Sequence, residues 1–217
     1  MDKPKELKEI VSEDCLRHIR DRIKAGVVDA EAQFGINQAD EDAVTGALGQ
    51  AISTTPTIFK GTGGSYSYHI TSTKIRGRGP NAPEKTLGAD AIFQVSVSKD
   101  GNQIFSKGLP FQAKMEGGFD NETVKRQAGD LYRTSKTGIV VRYSKDSYTA
   151  VDVRKLVNET GALAVNLELK PRKLATILGD DFLNCEVGRV GLYMRKPILD
   201  DGEGPGIWVF DTQIHEL

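Results

Sequence analysis

Gly88-Ala89-Asp90-Ala91-Ile92-Phe93-Gln94-Val95-Ser96-Val97-Ser98 leads into Lys99-Asp100-Gly101-Asn102, and the chain then runs from Gln103 to Phe111-Gln112-Ala113-Lys114. Asp-Gly between two β-rich runs predicts a tight hairpin, because both residues tolerate positive φ. Strand side chains alternate, so Asp90, Ile92 and Gln94 share one face of the first strand. On the second, Gln112 and Lys114 share one face, and Phe111, Ala113 and Met115 take the other. An acid on one strand then sits beside an amide and a lysine on its partner. That arrangement suits a divalent cation and a polarised water held against a phosphate.

Bulk properties bound the reading. The chain has 217 residues, enough for one well-filled core, and residues 1–217 are read as a single domain. Its net charge is -1 with many balanced charges, so no global basic field exists and any nucleic-acid contact must come from local patches. Cys15 and Cys185 lie far apart without CxxC spacing, which excludes a cysteine zinc site and fits a reducing compartment. The first residues, Met1-Asp2-Lys3-Pro4-Lys5-Glu6, are polar and carry no signal-peptide core. No run approaches the roughly 20 apolar residues of a membrane span. The expected location is cytoplasmic, with no membrane partner.

Moving outward from the hairpin, residues 4–25 predict an amphipathic helix with Leu7, Val11, Cys15, Ile19 and Ile23 on its stripe and Gly26 at its end. It packs on the domain, or it contacts a second copy or another protein. Residues 38–52 predict a second helix, started near Asn37 or Asp40, with Val44, Leu48 and Ile52 inward. Glu41 shares that inward stripe, where a carboxylate needs a partner or a metal. Gly61-Thr62-Gly63-Gly64 is a loop without the Lys-Ser/Thr of a P-loop. Residues 65–75 alternate as a strand, with His69 on the outer parity. The following polar loop carries Lys74, Arg76, Arg78 and Lys85, either simply solvated or gripping backbone phosphates. Glu84 is a second candidate acid.

Beyond the hairpin, Asp120 is expected to cap a helix over 121–133 with Val124, Gln127, Ala128 and Leu131 facing inward. Lys125 and Arg126 add positive charge there. Residues 138–143 and 147–153 read as strands, followed by a short helix over 154–158. Residues 160–217 look like an α+β extension, with strands over 162–169, 188–194 and 207–214 and a helix after Pro171. The acidic, Gly-rich loop over 200–206 does not have EF-hand spacing and reads as solvated.

The order of a helix bearing Glu41, then Gly88-Ala89-Asp90, then Gln112-Ala113-Lys114, then a helix bearing Gln127 resembles the PD-(D/E)xK phosphodiesterase superfamily. Its Gln-x-Lys form is similar to the Mrr-type branch. The resemblance spans about residues 37–155. It implies an α/β fold: a restriction-endonuclease-like α-β-β-β-α-β core with a mixed sheet. It implies Asp90 as the central metal-bridging carboxylate, and Gln112 and the Ala113 backbone carbonyl as further ligands. Glu41 would be the helix acid, with Glu84 the alternative. Lys114 would orient the attacking water and stabilise the transition state, with Gln127 as an accessory group. The implied cofactor is Mg²⁺ or Mn²⁺, and the implied activity is phosphodiester hydrolysis, of DNA in preference to RNA, in bacterial defence or repair. Two other classes stay open. One is a non-catalytic nucleic-acid-binding or scaffold protein retaining the fold. The other is an interaction protein acting through its N-terminal helix or C-terminal extension, as a homo-oligomer or with a partner protein.

Overall fold

The computed structural model describes residues 6–37, 40–76, 87–118, 121–157, 170–195 and 206–217. The hairpin forms where Asp-Gly places it. Strand β3 (Ala91–Lys99) pairs antiparallel with β4 (Asn102–Met115). Asp100 and Gly101 take φ of 52° and 75° in the turn, the left-handed pair that a tight two-residue connection needs.

Around this hairpin the described residues build a mixed sheet of nine strands. The others are β1 (Thr57–Gly61), β2 (Gly64–Arg76), β5 (Ile139–Tyr143), β6 (Thr149–Asp152), β7 (Arg172–Lys173), β8 (Arg189–Val190) and β9 (Gly206–Glu216). Their order is β1-β2-β9-β3-β4-β5-β6-β7, with β8 paired to β4 off that path. The helices are α1 (Glu13–Ala32), α2 (Phe34–Asn37), α3 (Glu41–Ile52), α4 (Asn121–Ser135) and α5 (Leu174–Thr176), the last continuing into a π-helical turn, Ile177–Asp181. Helices lie on both faces of the sheet, because both faces are apolar. On one face Leu16, Ile19, Ile23, Val44, Leu48 and Leu178 meet Tyr68, Phe93, Phe111 and Phe210. On the other, Val124, Ala128 and Leu131 meet Ile92, Val140 and Val209. The class is mixed α/β. No helix among the described residues is long and apolar enough to cross a membrane.

The expected α-β-β-β-α-β order differs from the structure in two ways. The chain runs α3, β1, β2, β3, β4, α4, β5, with β1 as an added strand. Its five residues pair with β2 across Thr62-Gly63, in the stretch read as plain loop. The larger difference is β9, which lies between β2 and β3, antiparallel to the first and parallel to the second. The segment expected as an appended extension thus supplies an interior strand.

The N-terminal helix also starts and ends elsewhere. Leu7–Glu9 is a short 3-10 turn, Ser12 caps α1 by accepting from the Cys15 N–H at 3.4 Å, and the helix continues past Gly26 to Ala32. The expected stripe of Leu7, Val11, Cys15, Ile19 and Ile23 is nevertheless buried throughout. The same holds for Leu174, Ile177, Leu178 and Phe182. The strand over 162–169, the Asp120 cap and most of the acidic loop over 200–206 lie outside the described residues.

Lys107 is a charged residue inside the apolar face, only 1 % exposed. Its Nζ donates to the Phe182 carbonyl and lies 4.4 Å from the Phe182 ring centroid. Burial pushes its ammonium down to about 8. A lysine in the unfolded chain titrates near 10.4, so between these values the unfolded state binds more protons and stability rises with pH. Folding stability of the wild type should therefore gain about 2–3 kcal/mol relative to Lys107→Met between pH 7.5 and 10.5, at about 1.4 kcal/mol per pKa unit. Urea unfolding at both pH values checks this. Parallel pH profiles would mean that Lys107 titrates in the folded protein near its unfolded value.

Candidate functional site

A cleft of about 440 Å³ opens at the end of the sheet where β3 begins and β4 ends, on the α3 side. Asp90 stands at its centre, one residue before the first residue of β3. Its N–H donates to the Phe111 carbonyl and its own carbonyl accepts from the Trp208 N–H, both at 3.0 Å. Its Oδ2 accepts from the Ala113 N–H at 2.8 Å. Strands β4 and β9 thus hold this carboxylate by backbone bonds from both sides.

Lys114 reaches across to Glu41, with Nζ 2.7 Å from one carboxylate oxygen and 3.0 Å from the other. Glu41 opens α3, whose N-cap Asp40 accepts from the Ala43 N–H at 2.7 Å. Thr45 ties that first turn to the sheet. Its hydroxyl donates to the Glu41 carbonyl at 2.7 Å and lies 3.2 Å from the buried Tyr143 hydroxyl. Burial pushes the Tyr143 phenol well above its ordinary value, so it stays neutral. At the other end of α3, Arg22 of α1 donates to the Ser53 carbonyl at 3.0 Å and to the Ala51 carbonyl. A cation at a helix C-terminus is favourable.

A second cluster lines the same cleft. Lys74 Nζ is 2.6 Å from each Asp42 carboxylate oxygen, and the Trp208 indole N–H donates to Asp42 at 2.8 Å. Burial pushes the Asp42 carboxyl up, but the bonds from Lys74 and Trp208 outweigh it and hold the group below its ordinary value. Three carboxylates, Glu41, Asp42 and Asp90, face two ammonium groups, Lys74 and Lys114, across the cleft. The lining is left one negative charge in excess.

The structure brings Asp90, Ala113, Lys114, Glu41 and Lys74 together here, and takes Gln112 and Gln127 elsewhere. Gln112 pairs in register beside Asp90, since Ala91 is opposite Phe111. Its parity is opposite to that of Phe111 and Ala113, so its amide lies on the α4 face. Nε2 donates to the Gly88 carbonyl at 2.9 Å and Oε1 accepts from Gln127 Nε2 at 3.0 Å. Gln127 is inward as expected, 8 % exposed, and its own Oε1 is buried without a hydrogen-bond partner. Lys125 and Arg126 also belong to α4, each 3.9 Å from an acid of their own helix, Glu122 and Asp130. They do not line the cleft. Arg76 ends β2 and adds positive field at Asp42. Glu84, Arg78 and Lys85 lie outside the described residues.

Sequence reasoning missed Asp42, Thr45 and Trp208. Asp42 lies beside Glu41 in the first turn of α3, where an acid is favourable for the helix dipole alone. Trp208 is the only tryptophan in the chain, but it sat in an apolar run whose place in the sheet was unknown.

Among the described residues, no three His, Cys, Asp or Glu side chains are grouped so as to hold a metal ion. The donors at the cleft are the Asp90, Glu41 and Asp42 carboxylates and the Ala113 backbone. Such hard oxygen donors, few in number, fit Mg²⁺ or Mn²⁺ retaining several waters better than a closed zinc cage. Compared with protein-family models, with curated proteins and with solved structures, the chain finds no match.

Proposed function

We propose that the chain is a metal-dependent nuclease of the PD-(D/E)xK type, hydrolysing phosphodiester bonds of nucleic acid, DNA in preference to RNA. The observation that carries this reading is the convergence of Asp90, Lys114 and Glu41 from three separate elements into one cleft. The restriction-endonuclease-like core, with β9 inserted between β2 and β3, is part of the same proposal. A bound Mg²⁺ would supply charge neutralisation at the phosphate and a more acidic water.

The chain's own residues have separable tasks. Asp90, held by the Ala113 N–H, would offer carboxylate to the cation, as would Glu41. Lys114 is the residue that would exchange partners. Released from Glu41, its ammonium donates to a phosphate oxygen as negative charge develops there. Lys74, bound now to Asp42, is placed for an adjacent phosphate. The excess negative charge of the lining disfavours a polyanion until a cation is present, so substrate binding should require the metal.

The test is incubation of purified protein with plasmid, linear duplex, single-stranded DNA and RNA, each in Mg²⁺, Mn²⁺ or EDTA. Cleavage in either metal and none in EDTA is expected. Cleavage equal in EDTA would overturn the metal-dependent reading.

A non-catalytic nucleic-acid-binding or scaffold protein with the same fold is the second reading. The engagement of the Gln112 amide by Gly88 and Gln127 favours it, because that amide is not turned to the cleft. A variant separates the possible tasks of Gln112. Gln112→Glu would set a carboxylate against the Gly88 carbonyl and is expected to cost about 2 kcal/mol of stability, from the lost bond and an unpaired buried acceptor. A thermal shift of several degrees downward, without tighter metal binding, is the expected result. Tighter Mn²⁺ binding with unchanged stability would instead make Gln112 a ligand position.

A further inference from the structure

We propose that the indole of Trp208 is the base-contacting wall of this cleft, so that the nucleic acid is taken as an unpaired nucleotide of a single strand. The inference rests on the nuclease reading for the identity of the ligand, but its geometry is independent of it.

The placement follows from β9. Trp208 pairs with Lys74 on one side and with Ala91 on the other, and its N–H donates to the Asp90 carbonyl at 3.0 Å. The Trp208 backbone therefore stands one strand away from Asp90, and its side chain lines the same cleft. It is also fixed. Asp42 holds its indole N–H at 2.8 Å. On α3, Gly46 leaves room for the ring, since a Cβ there would lie 2.8 Å from Cζ2 and 3.1 Å from Cη2. Trp208 remains partly exposed, in a cleft whose other side chains are mostly charged.

An indole whose polar atom is already bonded can offer a partner only its apolar surface. The Lys74 ammonium lies over the ring, 5.7 Å from its centroid. An aromatic surface next to a cation is the pair that single strands use, one for a base and one for the neighbouring phosphate. In a duplex the base faces are stacked on one another and cannot meet the ring without being flipped out. A rigid ring beside the phosphate-handling residues therefore selects unpaired nucleotides.

The experiment uses the fact that the chain has one tryptophan, so its emission reports this ring alone. Oligo(dT), an abasic oligomer of equal length and a blunt hairpin duplex are titrated in Mg²⁺ against the Lys114→Ala protein, the cleavage-silent form. Oligo(dT) is expected to quench the emission and to bind about tenfold or more tighter than the abasic oligomer. By anisotropy of a labelled oligo(dT), Trp208→Leu should lose that tenfold, while Trp208→Phe, which keeps a ring, should retain most of it. Equal binding of all three probes, unchanged emission, or no binding of any strand overturns the proposal. Quenching by oligo(dT) without cleavage by the wild type leaves the base contact standing and removes the nuclease reading. Metal-dependent cleavage by the wild type with unchanged emission does the reverse.

Discussion

Lys114→Ala is expected to lower the single-turnover cleavage rate in Mg²⁺ by a factor of about 10³ or more, the scale seen when a group stabilising transition-state charge is removed. Lys114 lines the cleft with both acids assigned to the cation. It is bound bidentately by Glu41 and lies next in sequence to Ala113, whose N–H holds Asp90. Its loss should leave metal binding in place, because the oxygen donors remain and a competing positive charge is gone. The fold should also survive. Lys114 sits near the end of β4 with a part-exposed side chain, while Ala113 beside it is fully buried in the core. Mn²⁺ titration and thermal melting alongside the rate measurement separate these effects. Near wild-type cleavage by the variant would remove Lys114 from the chemistry.

Gly26→Ala should destabilise the protein by about 3 kcal/mol, at the upper end for overpacking a tight contact. For a chain of this size that is a fall in Tm of roughly 6–12 °C. Helix propensity alone predicts the opposite sign, since alanine is better than glycine inside a helix by about 1 kcal/mol. The contact decides. A Cβ at Gly26 would lie 2.7 Å from both the Ala51 carbonyl oxygen and the Ile52 Cα. Those are backbone atoms of α3 and cannot rotate away. Pushing α3 outward would also move Glu41 at its other end, so cleavage should weaken with stability. Gly35→Ala is the control: nothing lies within 4 Å of a Cβ there, and a change within about 0.5 kcal/mol is expected. A neutral or stabilising Gly26→Ala would refute the close α1–α3 approach.

Gly26 also shows what pattern reading misses. A glycine after an apolar stripe reads as a helix stop, but here it is the point where two helices touch. Only the packing partner distinguishes the two uses, and the partner is far away in sequence. The hairpin of β3 and β4 was legible because its register depends on Asp100-Gly101 and alternation, both local. The inward stripes of α1, α3 and α4 were legible for the same reason. The location of β9 was not. Its run of Ile207-Trp208-Val209-Phe210 is apolar on both parities, as an interior strand between two helical layers requires. That pattern implies two-sided burial without naming the neighbours. Trp208 was missed with it, since its value lies in standing between Lys74 and Ala91. Gln112 fails differently. Its parity was read correctly, and that parity, opposite to Phe111 and Ala113, sets it on the α4 face, where the Gly88 carbonyl and Gln127 bond its amide. Parity was legible, but which helix covers which face of the sheet was not.

The measurement that most directly tests the account is cleavage of single-stranded circular DNA by the wild type and by Asp90→Ala, side by side, in Mn²⁺ and in EDTA. Removing the carboxylate leaves the Ala113 N–H without its acceptor, so melting curves of both proteins belong to the same experiment. The account predicts metal-dependent cutting by the wild type and none by a folded Asp90→Ala protein. Cutting that persists in Asp90→Ala at the wild-type rate would contradict it.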